Sequence, residues 1–289
     1  MHNRDWSLVL FTTFSQWSVG IILCITLLGY FDAETGLSVN RELSIRNPVL
    51  LALVLVGVAM LVSFLHLGTP SNAPKALNNL SGSWLSREIL AMGVYLVCLL
   101  TVLVLGWINS SVEYLNYVLL VVSVAGLVFL WMMARIYMIP TIPPWNSWYT
   151  PVSFVSAALC LGLLTFLIMD YATLINAGAQ TSKMFAVALI VILFVEIVWE
   201  IFRQFQLKNI NTGIDKQVFD RGNFSRISVL RTGMLIFAFM AILIIILVNP
   251  TLLVGNERHG LMYLLFALVA VQEFIGRLLF YSSYFRIGV

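Results

Sequence analysis

Ionisable residues are scarce in this chain, and the few present fall at particular places. His66 closes an apolar run in the stretch SFLHLGTPSNAP, and Glu88 stands beside Arg87 where the next apolar run opens. A histidine poised to gain a proton, with a carboxylate across a short connection, suits chemistry that releases protons. Gly68 is placed to end the helix carrying His66 in a left-handed turn, and Thr69 with Pro70 reads as an N-cap and first-turn proline of a short helix. His66 then lies in the last turn of its own helix, where the negative end of the helix dipole favours the protonated ring. A histidine satisfied by a nearby carbonyl is the equally open alternative. Other charges in or at the ends of apolar runs include Arg135, Glu196, Glu200, Arg203, Glu273 and Arg277. Glu273 and Arg277 are spaced i,i+4, as are Glu196 and Glu200, and Arg203 follows Glu200 by three, so pairing along single helices is expected for that set.

Resident redox centres are not expected. Cys24, Cys98 and Cys160 lie singly in three different apolar runs, with no metal-binding spacing, whereas an iron–sulfur cluster normally takes four thiolates. They read as small buried hydrophobes. A membrane b-type haem takes two axial histidines. The chain has His2, His66 and His259, of which His259 opens its helix on the opposite side from His66 and His2 is terminal. The expectation is no haem, no iron–sulfur cluster and no metal.

The elements that must position these residues follow from composition. Hydrophobic residues make up 61% of 289, charged residues 10%, and the mean hydropathy is +0.97. That leaves too little polar surface for a soluble globule, and nothing suggests a nucleic-acid partner. A crossing of a roughly 30 Å hydrocarbon core takes about 20 apolar helical residues. Eight such runs occur: Trp6 to Tyr30, Pro48 to Leu67, Arg87 to Ile108, Tyr114 to Ile139, Pro151 to Leu174, Ser182 to Phe202, Val229 to Asn249 and His259 to Phe280. The first is too long for a signal-peptide core and lacks a small-residue cleavage site. The expected fold is therefore all-α: a polytopic integral membrane protein, one domain over residues 1–289, of eight transmembrane helices.

Eight crossings put both termini on one side, called side A, with the connections near 68–86, 140–150 and 203–228. The intramembrane charges then share one depth toward side A, which suggests a polar pocket or a docking surface. Of the sixteen lysines and arginines, Arg41, Arg46, Lys183 and Arg258 fall on side B, leaving twelve on side A. By the positive-inside rule alone side A is cytoplasmic. Six of those twelve lie in or beside the segment from Arg203 to Arg231, which reads equally as a basic docking surface.

Several segments together carry a family resemblance: FTTFSQWSVG in the first run, LHLGTP with LNNLSGSWLSREI, WMMARIY followed by PPWNSWYTP, and EFIGRLLFY near the end. In this order, from Phe11 to Tyr281, they resemble the membrane anchor subunit of anaerobic dimethyl sulfoxide reductase. The resemblance implies an eight-helix subunit of the bacterial inner membrane, without cofactors of its own. It implies partners too: a molybdopterin catalytic subunit and an iron–sulfur subunit, for which the anchor oxidises menaquinol. It further implies that side A, with both termini and the docking face, is periplasmic, against the charge count. The histidine of LHLG and the glutamate of LSxEI map the quinol site to His66 and Glu88. Family members carry an arginine six residues after that histidine; here Asn72 stands there, so Lys75 or Arg87 must substitute if a cationic contact is needed.

On this reading quinol enters from lipid into the side A pocket and bonds His66 and Glu88, with Asn72 and Arg135 as second contacts. Its protons leave by the histidine and carboxylate while its electrons pass to the partner's cluster. Trp131, Tyr137, Trp145 and Trp148 are candidate pocket walls, and the two loop tryptophans read more simply as an interfacial belt. Two other classes remain open: a secondary transporter, and a purely structural anchor without a quinol site.

Overall fold

The computed structural model describes residues 3–35, 41–64, 75, 77–108, 112–171, 179–209, 221–248 and 259–284. They form eight long helices: α1 (Asn3–Thr35), α2 (Arg41–Phe64), α3 (Trp84–Trp107), α4 (Val112–Tyr137), α5 (Tyr149–Tyr171), α6 (Ala179–Asn209), α7 (Arg221–Val248) and α8 (His259–Ser282). A single turn of 3-10 helix at Leu77–Asn79 precedes α3, and the described residues contain no strand. Each of the eight contains a stretch long and apolar enough to cross a bilayer. The all-α, eight-span architecture expected from composition is therefore present. It is the arrangement lipid demands, because a helix satisfies its backbone groups within one segment.

Several helix ends differ from the apolar boundaries. α3 opens at Trp84, one turn before the run at Arg87, because Ser83 caps it: its backbone is extended (φ −124°, ψ 120°), and its hydroxyl accepts the Ser86 N–H at 3.3 Å. Such a cap satisfies a donor that has no intrahelical partner. α2 starts at Arg41 and carries Pro48 inside it. α6 runs to Asn209 and α7 begins at Arg221, so the connection read as 203–228 is helical at both ends. The short helix expected at Thr69–Pro70 lies outside the described residues.

α1 and α5 form the centre: 72% of each span is buried, against 44% or less for the other six. Glycines make this possible. A Cβ on Gly20 would lie 1.8 Å from the Ala158 carbonyl oxygen, and one on Gly162 would lie 2.3 Å from the Gly20 carbonyl. The two backbones thus touch, as small residues permit in membranes where apolar side chains gain nothing by leaving lipid. Trp17 Nε1 donates to Thr165 Oγ1 at 2.6 Å across the same seam. α1 is also tied to α2 and α3 through Ser18, whose hydroxyl bonds the Ala52 carbonyl at 2.7 Å and meets the Tyr95 hydroxyl at 3.0 Å. Thr26 and Ser123 join it to α4 at 2.8 Å. One apolar core lies among α1–α4 and reaches Phe154, Phe280 and Tyr281, and a second lies among α5–α8 with Cys24 and Leu28 of α1.

Candidate functional site

Glu88 stands in the second turn of α3, on an inward stripe that continues through Ala91, Met92, Tyr95, Leu99 and Val102. Only 5% of it is exposed, and its Oε1 has no hydrogen-bond partner among the described residues. An unsatisfied buried carboxyl oxygen is costly and asks for a reason. The polar groups nearest in kind are three hydroxyls that α4, α8 and α1 bring together. Tyr281 of α8 donates to Tyr137 of α4 at 3.0 Å and lies 3.3 Å from Thr12 Oγ1 of α1. Glu88 is close enough to act electrostatically on both tyrosines. The result is a carboxyl group and a hydroxyl chain, all buried, at the side A end of the first core.

Aromatic rings enclose this cluster. Trp145 of the α4–α5 connection stacks on Phe280 (5.4 Å, 15°) and meets Tyr137 edge-on at 5.6 Å. Its indole N–H donates to the Phe280 carbonyl at 2.8 Å, and the Trp145 carbonyl accepts from Thr150 at 2.6 Å. Trp145 is therefore part of the enclosure, not of an interfacial belt as its loop position suggested. Trp148, 70% exposed and packed against Trp131, does fit a belt.

Arg135 and Arg87 both lie against one ring: their guanidinium carbons are 4.7 and 4.3 Å from the centre of Trp84. Arg87 also donates to the Leu80 and Ser81 carbonyls at 2.7 and 2.6 Å, which folds the connection back on α3 and commits that cation locally. Arg135 approaches the Met138 sulfur at 3.8 Å and makes no ion pair to Glu88 among the described residues. Lys75 is exposed. His66 and Asn72 lie outside the described residues, so of the four candidate site residues Glu88 and Arg135 are the two with a described position.

Glu196, Glu200, Arg203, Arg231 and Glu273 form a second cluster, carried by α6, α7 and α8. Glu200 takes Arg203 through both oxygens (2.6 and 3.2 Å) and Arg231 of α7 at 2.5 Å, and it also accepts from Ser228 at 2.7 Å. The same Arg231 reaches Glu196 at 3.8 Å and Glu273 at 4.0 Å. The expected Glu200–Arg203 pair is present. The expected Glu273–Arg277 pair is not: Arg277 donates to the Ser153 carbonyl and lies 4.1 Å over the Phe154 ring, while Glu273 accepts from Gln272 at 2.7 Å. An arginine on another helix competes successfully with the i,i+4 neighbour because both partners then escape lipid. Arg203 and Arg231 are buried, so neither contributes to the basic docking surface read from their position. Arg231, Tyr281 and Thr12 were not singled out from sequence as site residues; the signal for Arg231 was its place one turn inside an apolar run.

A family model described as DMSO reductase anchor subunit (DmsC) matches residues 1–283. The protein is 26% identical to the C subunit of an anaerobic dimethyl sulfoxide reductase of Escherichia coli K12, over 99% of its own length and 97% of that relative's. It is 28% identical to a subunit of the same description from Haemophilus influenzae, over 98% and 95%. Over 55% of each protein it is 32% identical to another anaerobic dimethyl sulfoxide reductase subunit of Escherichia coli K12, YnfH.

Proposed function

Because the chain belongs to the DMSO reductase anchor subunit family, we propose that it holds a reductase complex at the bacterial inner membrane and oxidises menaquinol on its behalf. The electrons pass to an iron–sulfur partner subunit and from there to a molybdopterin catalytic subunit. The observation that supports this reading is the side A cluster of Glu88 with the Tyr137, Tyr281 and Thr12 hydroxyls, walled by Trp145 and Phe280. Aromatic and aliphatic walls with a few convergent polar groups suit a quinol ring.

Quinol oxidation yields two electrons and two protons, and the protons need acceptors that lead out of the apolar core. Glu88, with its unpartnered oxygen, accepts one quinol hydroxyl, and His66 accepts the other. Tyr137 and Tyr281 hold the carboxyl side of the pocket in register and exclude water. Arg135, held on Trp84, and Asn72 are the remaining headgroup contacts. Side A faces the periplasm, where both protons are released. The chain itself contributes no haem, iron–sulfur cluster or metal to this reaction. A purely structural anchor has no use for an unsatisfied buried carboxylate beside a hydroxyl chain. A secondary transporter gains nothing from the eight spans, each of which is one continuous helix.

The test separates quinol oxidation from the rest of the complex. At matched subunit levels, Glu88→Gln is expected to lower quinol-dependent turnover roughly 100-fold, the lower range for loss of general acid–base assistance. Turnover with a dye that reduces the partner directly is expected to continue. Equal quinol-dependent turnover in the native and Glu88→Gln complexes would remove Glu88 from the reaction.

A further inference from the structure

The described buried charged residues are four glutamates, Glu88, Glu196, Glu200 and Glu273, and three arginines, Arg203, Arg231 and Arg277. With all of them ionised this buried set carries one net negative charge. A buried ion without a partner is strongly disfavoured, and one proton held within this set removes the excess.

The α5–α8 cluster has the place for it. Glu200 is saturated by Arg203 and Arg231 at 2.6 and 2.5 Å. Glu196 and Glu273 share what remains: the far edge of the Arg231 guanidinium, at 3.8 and 4.0 Å. They come from different helices, α6 and α8, and their carboxyl oxygens lie with Cys160 Sγ of α5 inside a span of 4.8 Å. Glu196 is only 5% exposed, and its Oε2 has no hydrogen-bond partner among the described residues. Gln272, fully buried, donates its amide to Glu273, and its own Oε1 has no partner among the described residues. Two carboxylates this close, in lipid, repel unless a proton lies between them. Arg277 acts on Glu273 only through space: its guanidinium bonds the Ser153 carbonyl and makes no ion pair with either carboxyl among the described residues. Tyr149 of α5 is the remaining titratable group near Arg231 and Arg277.

We propose that Glu196 and Glu273 form a proton-binding site in the α5–α8 half of the membrane, holding one proton between them. With that one proton held, the buried set is neutral: three carboxylates against the guanidiniums of Arg203, Arg231 and Arg277. Cys160 with two carboxylates also has the spacing of a divalent-cation site, but the Arg231 guanidinium beside both carboxylates already supplies the local positive charge, so the ligand is a proton. This site is separate from the quinol cluster and does not depend on quinol oxidation being correct.

The experiment is infrared difference spectroscopy of the native complex in membranes at neutral pH, reading the carbonyl stretch of a protonated carboxylic acid. The expected result is one such band, shifted in deuterated buffer. It is lost in Glu196→Gln and in Glu273→Gln, because either amide removes the need for the shared proton, and it is retained in Glu88→Gln. A native complex without the band, retention of the band in either Gln variant, or its loss in Glu88→Gln overturns the proposal. Should a Gln variant fail to assemble, Glu196→Asp is read instead: a displaced band supports the shared proton, and an unmoved band overturns it.

Discussion

Gly162→Ala is expected to force apart the two helices on which everything else is built. The added Cβ would lie 2.3 Å from the Gly20 carbonyl carbon and oxygen and 2.8 Å from its Cα. Ordinary carbon contacts lie at about 3.5–4.0 Å, so α1 and α5 must separate by roughly 1.2–1.7 Å. All three atoms are backbone, so no flexible side chain can yield. A gap of even about 0.5–1 Å forfeits a quarter to a half of each dispersion contact along the seam. The Trp17–Thr165 hydrogen bond, 2.6 Å long, is carried out of bonding range by the same shift. Overpacking of about 1–3 kcal/mol and a lost hydrogen bond of about 0.5–1.5 kcal/mol together give a destabilisation of about 2–4 kcal/mol. Cys24 and Cys160 are buried and unbridged, so thermal unfolding of the detergent-solubilised complex can be followed by their labelling with a thiol-reactive fluorophore. Gly57→Ala and Gly93→Ala are matched controls, because an added Cβ there meets nothing within 4 Å; both are expected to unfold at or above the native temperature. If Gly162→Ala unfolds alongside these controls, the backbone contact between α1 and α5 is not what holds the bundle together.

Arg231→Met strips Glu196 and Glu273 of their nearest cation and leaves Glu200 with Arg203 alone; a loss of about 3–5 kcal/mol is expected, seen as a lower unfolding temperature in the same labelling assay. Ser83→Ala removes the α3 cap and is expected to cost about 1 kcal/mol, read as faster hydrogen exchange of the first α3 amides with the rest of the helix unchanged. Ser225 is exposed at the side A end of α7, so with side A periplasmic Ser225→Cys is expected to react with an impermeant maleimide in intact cells; labelling only after the inner membrane is opened would reverse the orientation.

The spans were legible because lipid leaves so few options: about 20 apolar residues must recur for each crossing, and the eight runs of this chain hardly admit another reading. Helix ends were less so. Ser83 carried a readable cap signal, but the apolar run from Arg87 masked it. The charge pairs show where spacing along one helix stops informing. Glu200–Arg203 forms because its alternatives lie in the same place, whereas Glu273 leaves Arg277 for a cluster centred on Arg231, a residue on another helix that no one-dimensional pattern connects to it. Tyr281 is similar: at the end of an apolar run it reads as a boundary aromatic, and only the packing of α1, α4 and α8 makes it part of a hydroxyl chain beside Glu88. Arg203 and Arg231 also weaken the orientation count, since buried, compensated arginines do not act as flanking topology signals.

The central claim is that quinol binds beside Glu88, and the most direct measurement is binding of a fluorescent quinol-analogue inhibitor to membranes carrying the native, Glu88→Gln, Tyr281→Phe and His66→Ala complexes at matched subunit levels. Saturable binding to the native complex, weakened in Tyr281→Phe and lost in Glu88→Gln or His66→Ala, is the predicted result. Binding of equal affinity in all four would contradict the account and place the quinol elsewhere.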